Sequence, residues 1–250
     1  MRRIRLLTDH FPMPPGLDTG ISHALVLEVG AGRQPETLRL HDTTDIVAFG
    51  RHDTITPGYP AAVAAAIEHG FTPIERLAGG RAAVFHTGTL AFAWAIPENE
   101  PRAGVSDRFQ LIAEILRDAL ASLEVPAGIG ELPGEYCPGR YSIHGGGRIK
   151  LIGVGQRLVR GAAHVGGVIC VRDGDRIRRV LEPVYRALDL DWDPATAGAI
   201  DDLVPSITVD AVRHAVTASF ASRFDIQPAA LPQDLVDQGQ NFADSHVPPA

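Results

Sequence analysis

The stretch 137–171, CPGRYSIHGGGRIKLIGVGQRLVRGAAHVGGVICV, constrains the fold more than any other part of the chain. It reads as a strand, a tight turn through Gly145-Gly146-Gly147, a second strand carrying Lys150, a further turn and a third strand. Alternation places Ile149 and Leu151 on one face of the middle strand, and Lys150, Ile152 and Val154 on the other. A lysine among isoleucine and valine is unusual, because an unpaired ammonium is costly to bury. Either it stays wet at the sheet edge or it points into a site where a ligand supplies its partner. The second is the expectation.

The flanking sequence supplies further strands with helices between them. Residues 2–7 read as a first strand, 23–30 and 36–41 as a hairpin around the turn-rich AGRQP, and 45–50 as another short strand. Arg51 to Thr56 reads as loop, and Pro60 opens an alanine-rich helix that stops at Gly70. Strands follow at 71–77 and on either side of the Thr87-Gly88 turn. Ser106 is placed to cap a helix over 107–123, where Phe109, Ile112, Ile115, Leu116, Leu120 and Leu123 form one stripe. The charged run RDGDRIRR reads as a turn, Pro183 as the opening of a short helix, and Thr208 as the cap of a helix reaching about Phe224. From there the composition shifts to Pro, Gln and Asp, which predicts a mobile tail over 226–250 behind a single domain over 1–225. The class is α+β, with a mixed, mainly antiparallel sheet and flanking helices.

Composition narrows the chemistry. A net charge of −7 argues against bulk binding to nucleic acid or to an anionic membrane. With two cysteines, Cys137 and Cys170, there is no disulfide framework, and without a signal-peptide core or a bilayer-length apolar run the expectation is a cytoplasmic protein. There is no Walker loop, no GxGxxG after a strand, no HExxH and no paired cysteines at zinc spacing, so no metal site of a familiar kind is expected.

The second informative stretch is 76–86, Arg-Leu-Ala-Gly-Gly-Arg-Ala-Ala-Val-Phe-His. Adjacent glycines let backbone N–H groups approach a carboxylate, acyl carbonyl or phosphate without side-chain obstruction. Together with Gly-Arg-Ile-Lys-Leu-Ile-Gly-Val-Gly-Gln at 147–156 and His164-Val165-Gly166-Gly167, this pattern resembles the catalytic domain shared by lipoate–protein ligases, octanoyltransferases and biotin–protein ligases. Order and separation of the two segments make the likeness more specific than either alone, and it covers roughly residues 20–190.

The resemblance implies that Lys150 stabilises the acyl carbonyl. Arg76, Gly79, Gly80, His86, Gly153 and His164 would contact the bound acyl group, and Val84, Phe85 and Ile152 would line the slot for its eight-carbon chain. Cys137, thirteen residues before Lys150, lies close to where one octanoyltransferase branch keeps a nucleophilic cysteine. The alternative for Cys137 is an unreactive loop thiol, and for His86 and His164 a structural role. Cys170, inside VICV, reads as core. Relative to the family pattern, the glycine loop has one extra residue and Ile149 separates Arg148 from Lys150. Tyr141-Ser142 stands where ligases carry Asn-Asp, which removes a carboxylate that helps hold a metal–nucleotide.

The implied activity is therefore transfer of an octanoyl or lipoyl group onto a lysine of a lipoyl carrier domain. Acyl carrier protein, glycine cleavage H protein or a dehydrogenase E2 would be the partners, with no cofactor. The alternatives are an ATP- and Mg2+-dependent lipoate–protein ligase and a non-catalytic relative that binds an acyl group or its carrier.

Overall fold

The computed structural model describes residues 1–249. Strand β1 (Arg3–Leu7) leads through a proline-rich link to helix α1 (Leu17–Gly30), followed by β2 (Thr37–His41), β3 (Ile46–Phe49) and the single turn α2 (Arg51–Thr54). Then come α3 (Tyr59–Glu68), β4 (Thr72–Glu75), β5 (Ala83–Phe85), β6 (Thr89–Pro97) and α4 (Val105–Ala121). The sheet continues with β7 (Ala127–Ile129), β8 (Ile143–Gly145), β9 (Ile149–Val159) and β10 (Ala162–Cys170). The chain ends in α5 (Gly174–Ala187), α6 (Val209–Ala221), β11 (Asp225–Pro228) and α7 (Gln233–Ala243).

Eight strands form one mixed sheet in the order β11-β1-β2-β6-β10-β9-β8-β7, and a smaller sheet runs β4-β3-β5. The expected α+β class is what is found. Pairs β1–β11, β1–β2 and β3–β4 are parallel, and the other ladders are antiparallel. One face of the large sheet carries the main core under α4 and α6, where Trp94 meets Phe220 edge-on at 5.3 Å. The small sheet packs on α3 and α5 through a second core containing Phe49, Tyr59, Val84 and Leu181. No helix among the described residues is long and apolar enough to cross a membrane.

Several local expectations are corrected. Residues 23–30 belong to α1 and not to a hairpin strand. Their apolar residues Ala24, Leu25, Val26 and Val29 pack in one cluster with Ala95 of β6, Ala162 of β10 and Leu235 of α7, so the helix is apolar on several sides and shows no polar stripe to betray its period. The loop expected at Arg51 to Thr56 is in part α2. Helix α4 starts two residues earlier, at Val105, with Gly104 rather than Ser106 as its cap. Helix α5 begins at Gly174, because Asp173 accepts a hydrogen bond from the Arg176 N–H, and Pro183 falls inside it. Thr208 does cap α6, accepting from the Ala211 N–H.

The expected mobile tail is folded. Residues of β11 pair with β1, and α7 lies across α1 where Gly20 and Gly239 meet. A Cβ on Gly20 would come within 2.3 Å of the Gly239 carbonyl oxygen. Two glycines thus allow a backbone approach that larger residues forbid, and Leu235 and Ala243 bury themselves against α1.

Candidate active site

The two sequence segments meet in a cleft between the large sheet and the small one. Arg76 follows β4 directly, and its N–H donates to the Phe49 carbonyl at 2.9 Å, extending that pairing into the glycine loop. Gly80 has φ +108°, and a Cβ there would lie 1.9 Å from Arg76 Nη2 and 2.8 Å from Cys137 Sγ. Gly79 has nothing within 4 Å of such an atom and opens on the cleft. Beneath the loop, Asp53 of α2 is fully buried: its carboxylate accepts from the Gly50 N–H at 2.9 Å and from Arg81 Nη1 at 3.2 Å. The Arg81 side chain is thereby held on α2, while its backbone N–H donates to Cys137 Sγ at 3.2 Å.

Cys137 sits at the centre of this arrangement. Its Sγ also accepts from Arg76 Nη2 at 3.3 Å. Burial pushes the thiol up, but the Arg76 guanidinium, the Lys150 ammonium and the Arg81 N–H outweigh it and hold the pKa below the ordinary thiol value. The residue has φ +44°, a left-handed conformation that a β-carbon disfavours. It is fixed there by Tyr185 of α5, whose hydroxyl accepts from the Cys137 N–H at 2.8 Å and donates to the Ala82 carbonyl at 3.0 Å.

Lys150 is 1% exposed and points toward the 135–137 loop. The side-chain alternation expected along β9 does not hold at this point. Ile143 pairs with Ile152 and His144 with Lys150, so Leu151 is an extra residue in a bulge. Leu151 and Ile152 both enter the main core, while Lys150 turns into the cleft. Its partner is also not left to a ligand alone: Nζ donates to Glu135 Oε1 at 3.0 Å, Tyr136 O at 3.0 Å and Cys137 O at 2.7 Å. Glu135 in turn accepts from Ser142 Oγ and from the Leu132 and Gly139 N–H groups, so one buried carboxylate ties down the whole loop.

The resulting cavity measures about 560 Å³. Arg76, Gly79, Gly80, Phe85, Cys137, Lys150 and Gly153 all line it, as the sequence had suggested, with Phe109 and Tyr141 stacked at 5.2 Å on the outer wall. Val84 does not line it. In β5 the residues Ala83 and Phe85 face the cavity, so the intervening Val84 faces α5. His86 is buried behind the strand, its Nδ1 accepting from the Gly88 N–H at 3.0 Å, and burial followed by the Arg176 charge lowers its pKa. His164 lies in a smaller adjoining chamber of about 110 Å³. Sequence reasoning missed Glu135, Tyr185 and Asp53. Tyr185 could have been found had the stripe Ile177, Val180, Leu181, Val184 been read across Pro183; Glu135 and Asp53 carry no periodic signal.

The fold and this cleft define a catalytic domain of known type. Residues 15–221 match the lipoyl protein ligase A/B catalytic domain, and the chain belongs to that family. Among characterised relatives it is similar to the octanoyl-[GcvH]:protein N-octanoyltransferase of Geobacillus kaustophilus, 29% identical over 75% of this chain and 65% of that protein. It is 28% identical to the enzyme of the same name from Bacillus velezensis, over 80% of this chain and 71% of that one. The chain thus spans about two thirds of the length of these relatives. In fold it resembles the bipartite lipoate protein ligase of Thermoplasma acidophilum, with a TM-score of 0.75, 16% identity and coverage of 98% and 93% of the two chains. An ATP-bound lipoate-protein ligase A gives 0.77 at 18% identity over 98% and 95%.

Proposed function

We propose that this chain transfers an octanoyl or lipoyl group from one carrier to a lysine on a lipoyl carrier domain, through a thioester on Cys137. The observation that carries the reading is the pairing of Cys137 Sγ with Arg76 Nη2 and the Arg81 N–H, in the same cavity as Lys150. Likeness to octanoyl-[GcvH]:protein N-octanoyltransferases supports it and suggests a GcvH-type donor.

The chemistry follows from the geometry. The Cys137 thiolate attacks the carbonyl carbon of the donor thioester, forming an S–C bond while charge develops on the oxygen. Lys150 Nζ, 2.7 Å from the Cys137 carbonyl, can exchange that acceptor for the oxyanion. The tetrahedral adduct collapses by breaking the bond to the donor sulfur, which leaves as a thiolate. A neutral lysine amine of the acceptor then attacks the acyl-Cys137 carbon. An amide forms, the C–S bond breaks, and the amine proton passes to the departing sulfur. Neither half-reaction consumes ATP.

Adenylation would require carboxylates for a metal–nucleotide. At the positions where the ligases carry Asn-Asp, Tyr141 stacks on Phe109 and Ser142 donates to Glu135, and the cavity lining offers Arg76, Arg140 and Lys150 but no carboxylate. The transferase is therefore favoured over the ligase.

The test is incubation with an octanoylated carrier protein followed by intact-mass analysis. A chain heavier by one octanoyl group, with hydroxylamine removing the adduct and Cys137→Ser abolishing it, is the expected result. An adduct that persists in Cys137→Ser removes Cys137 from the pathway, and pyrophosphate release with lipoate and ATP would install the ligase instead.

A further inference from the structure

At the head of helix α1, three side chains of metal-binding type converge from three parts of the chain. His10 comes from the proline-rich link after β1, Asp18 from the first turn of α1, and His41 from the last residue of β2. A carboxylate oxygen of Asp18 and one nitrogen of each imidazole lie within 4.8 Å of one another. Asp18 Oδ2 is 2.7 Å from His10 Nδ1 and 4.0 Å from His41 Nδ1. Donors that share a zinc ion at about 2.1 Å sit about 3–3.5 Å apart, so shifts of about 1 Å close this set on one ion.

The surroundings hold each group as a ligand requires. Asp18 Oδ1 accepts from Arg39 Nη2 at 2.6 Å, and the fully buried Arg39 also donates to Ser22 Oγ and to the Asp9 and Asp18 carbonyls. One carboxylate oxygen is thereby anchored, and Oδ2 faces the histidines with the Phe11 N–H donating to it at 3.1 Å. His41 Nδ1 meets the Asp42 carbonyl at 2.8 Å, the outer hydrogen bond that orients a ligating imidazole, and its other nitrogen has no partner among the described residues. Burial pushes the Asp18 carboxyl up, but His41, His10 and Arg39 outweigh it and hold it well below the ordinary carboxylate range. Burial keeps the His41 ring neutral, with a pKa of about 4. A carboxylate and a neutral imidazole are the forms that bind a cation. His10 and Asp18 keep 21% and 15% of their side-chain surface, which gives an ion a way in, and all three residues line the chamber of about 110 Å³, where water can complete the shell.

Charge selects the kind of ion. A single carboxylate already paired with a guanidinium offers little to Mg2+ or Ca2+, which draw their affinity from several oxygens. Two imidazoles and one carboxylate suit a borderline transition ion. We propose that His10, Asp18 and His41 bind Zn2+ or a similar divalent transition ion, tying the link before α1 to the end of β2. The ion takes the place of the hydrogen between His10 Nδ1 and Asp18 Oδ2, which moves to Nε2 of that ring or to solvent. This site is independent of the acyl-transfer reading, and either can fail alone.

The full chain, stripped with chelator, is titrated with Zn2+ by calorimetry and with Co2+ by absorption. One ion per chain, a higher melting temperature with Zn2+, and Co2+ d–d bands without the near-ultraviolet charge transfer of a thiolate are expected. His10→Ala and His41→Gln should each weaken binding by at least about 100-fold, since loss of even an outer-sphere partner costs roughly 10–100-fold. Melts in chelator show whether each variant is folded, and the Co2+ spectrum of the parent reports the ligand set without any variant. Cys137→Ser removes the one partly exposed thiol, and His246→Gln removes the ring 3.2 Å from His23. Both should bind as the parent does. No saturable binding, a thiolate band, binding that survives in folded His10→Ala or His41→Gln, or binding lost in Cys137→Ser or His246→Gln overturns the proposal.

Discussion

Glu135 Oε1 and Lys150 Nζ are 3.0 Å apart with side chains 0% and 1% exposed, an ion pair sealed inside the loop that carries Cys137. Both charges are held almost entirely out of bulk solvent. Removing one therefore leaves the other buried without its counter-charge, a situation that costs about 3–5 kcal/mol. Glu135→Ala and Lys150→Met should each destabilise the chain by that amount in urea unfolding. The double variant should be less destabilised than the two losses added together, because it leaves no lone charge. Additive losses would mean that the pair is not coupled.

The Arg76 guanidinium, 3.3 Å from Cys137 Sγ, sets how readily the thiol ionises. Because the folded pKa lies below the ordinary thiol value, iodoacetamide should alkylate Cys137 with a pH midpoint below that of a free cysteine. Arg76→Met removes the largest stabilising charge, so the midpoint should move to higher pH and the rate at pH 7 should fall. An unchanged alkylation profile would show that Arg76 does not govern the sulfur.

Gly79 and Gly80 are neighbours with opposite tolerances. Alanine at Gly80 must accept φ +108° and displace Arg76 or Cys137, which predicts a loss of about 1–3 kcal/mol and a sharp drop in Cys137 acylation. Alanine at Gly79 meets nothing and should leave stability within about 0.5 kcal/mol of the parent. Denaturation midpoints for the two variants, measured side by side, check the contrast.

Tyr185→Phe keeps the ring and removes only the hydroxyl that receives the Cys137 N–H and reaches the Ala82 carbonyl. The expected cost is on the order of 1–3 kcal/mol, since two backbone groups lose their partner. Cys137 acylation should slow more than carrier affinity weakens, because the change is in where the sulfur sits. The split between kcat and KM in carrier-dependent acylation reads this directly.

Acid should destabilise the fold before its carboxylates titrate. His41 and His164 are held neutral by burial, with folded values of about 4 against an unfolded value near 6.5. The unfolded chain therefore binds more protons than the native one between those limits, so stability is full above pH 6.5 and falls as pH drops toward 4. The loss is on the order of 3 kcal/mol for each ring. Asp18 acts in the same direction below its unfolded value, since burial is outweighed by His41, His10 and Arg39 and its folded pKa is depressed. Urea midpoints at pH 7 and pH 4.5 should differ by several kcal/mol, and His164→Gln should narrow the gap.

What the sequence determined by itself was the sheet that carries β6, β9 and β10, the stripe of α4, and the association of the double-glycine loop with Lys150. Those features are local: alternation, a 3.6-residue period and glycine spacing are written in consecutive residues. Only the tertiary structure decided which way Lys150 points, because a one-residue bulge opposite His144 resets the alternation, and only it supplied Glu135 as the partner. The same holds for α1 and α7. Each buries apolar residues against the other across the Gly20–Gly239 contact: α1 is apolar on several sides and carries no periodic signal, while the stripe of α7, Leu235, Val236, Gly239 and Ala243, is set in a polar composition that reads as tail. His86 and His164, alike as isolated histidines in β-prone sequence, part company for that reason too. One is enclosed behind β5 with its Nδ1 satisfied by Gly88, and the other is left open to a chamber that exists only when both sheets are in place.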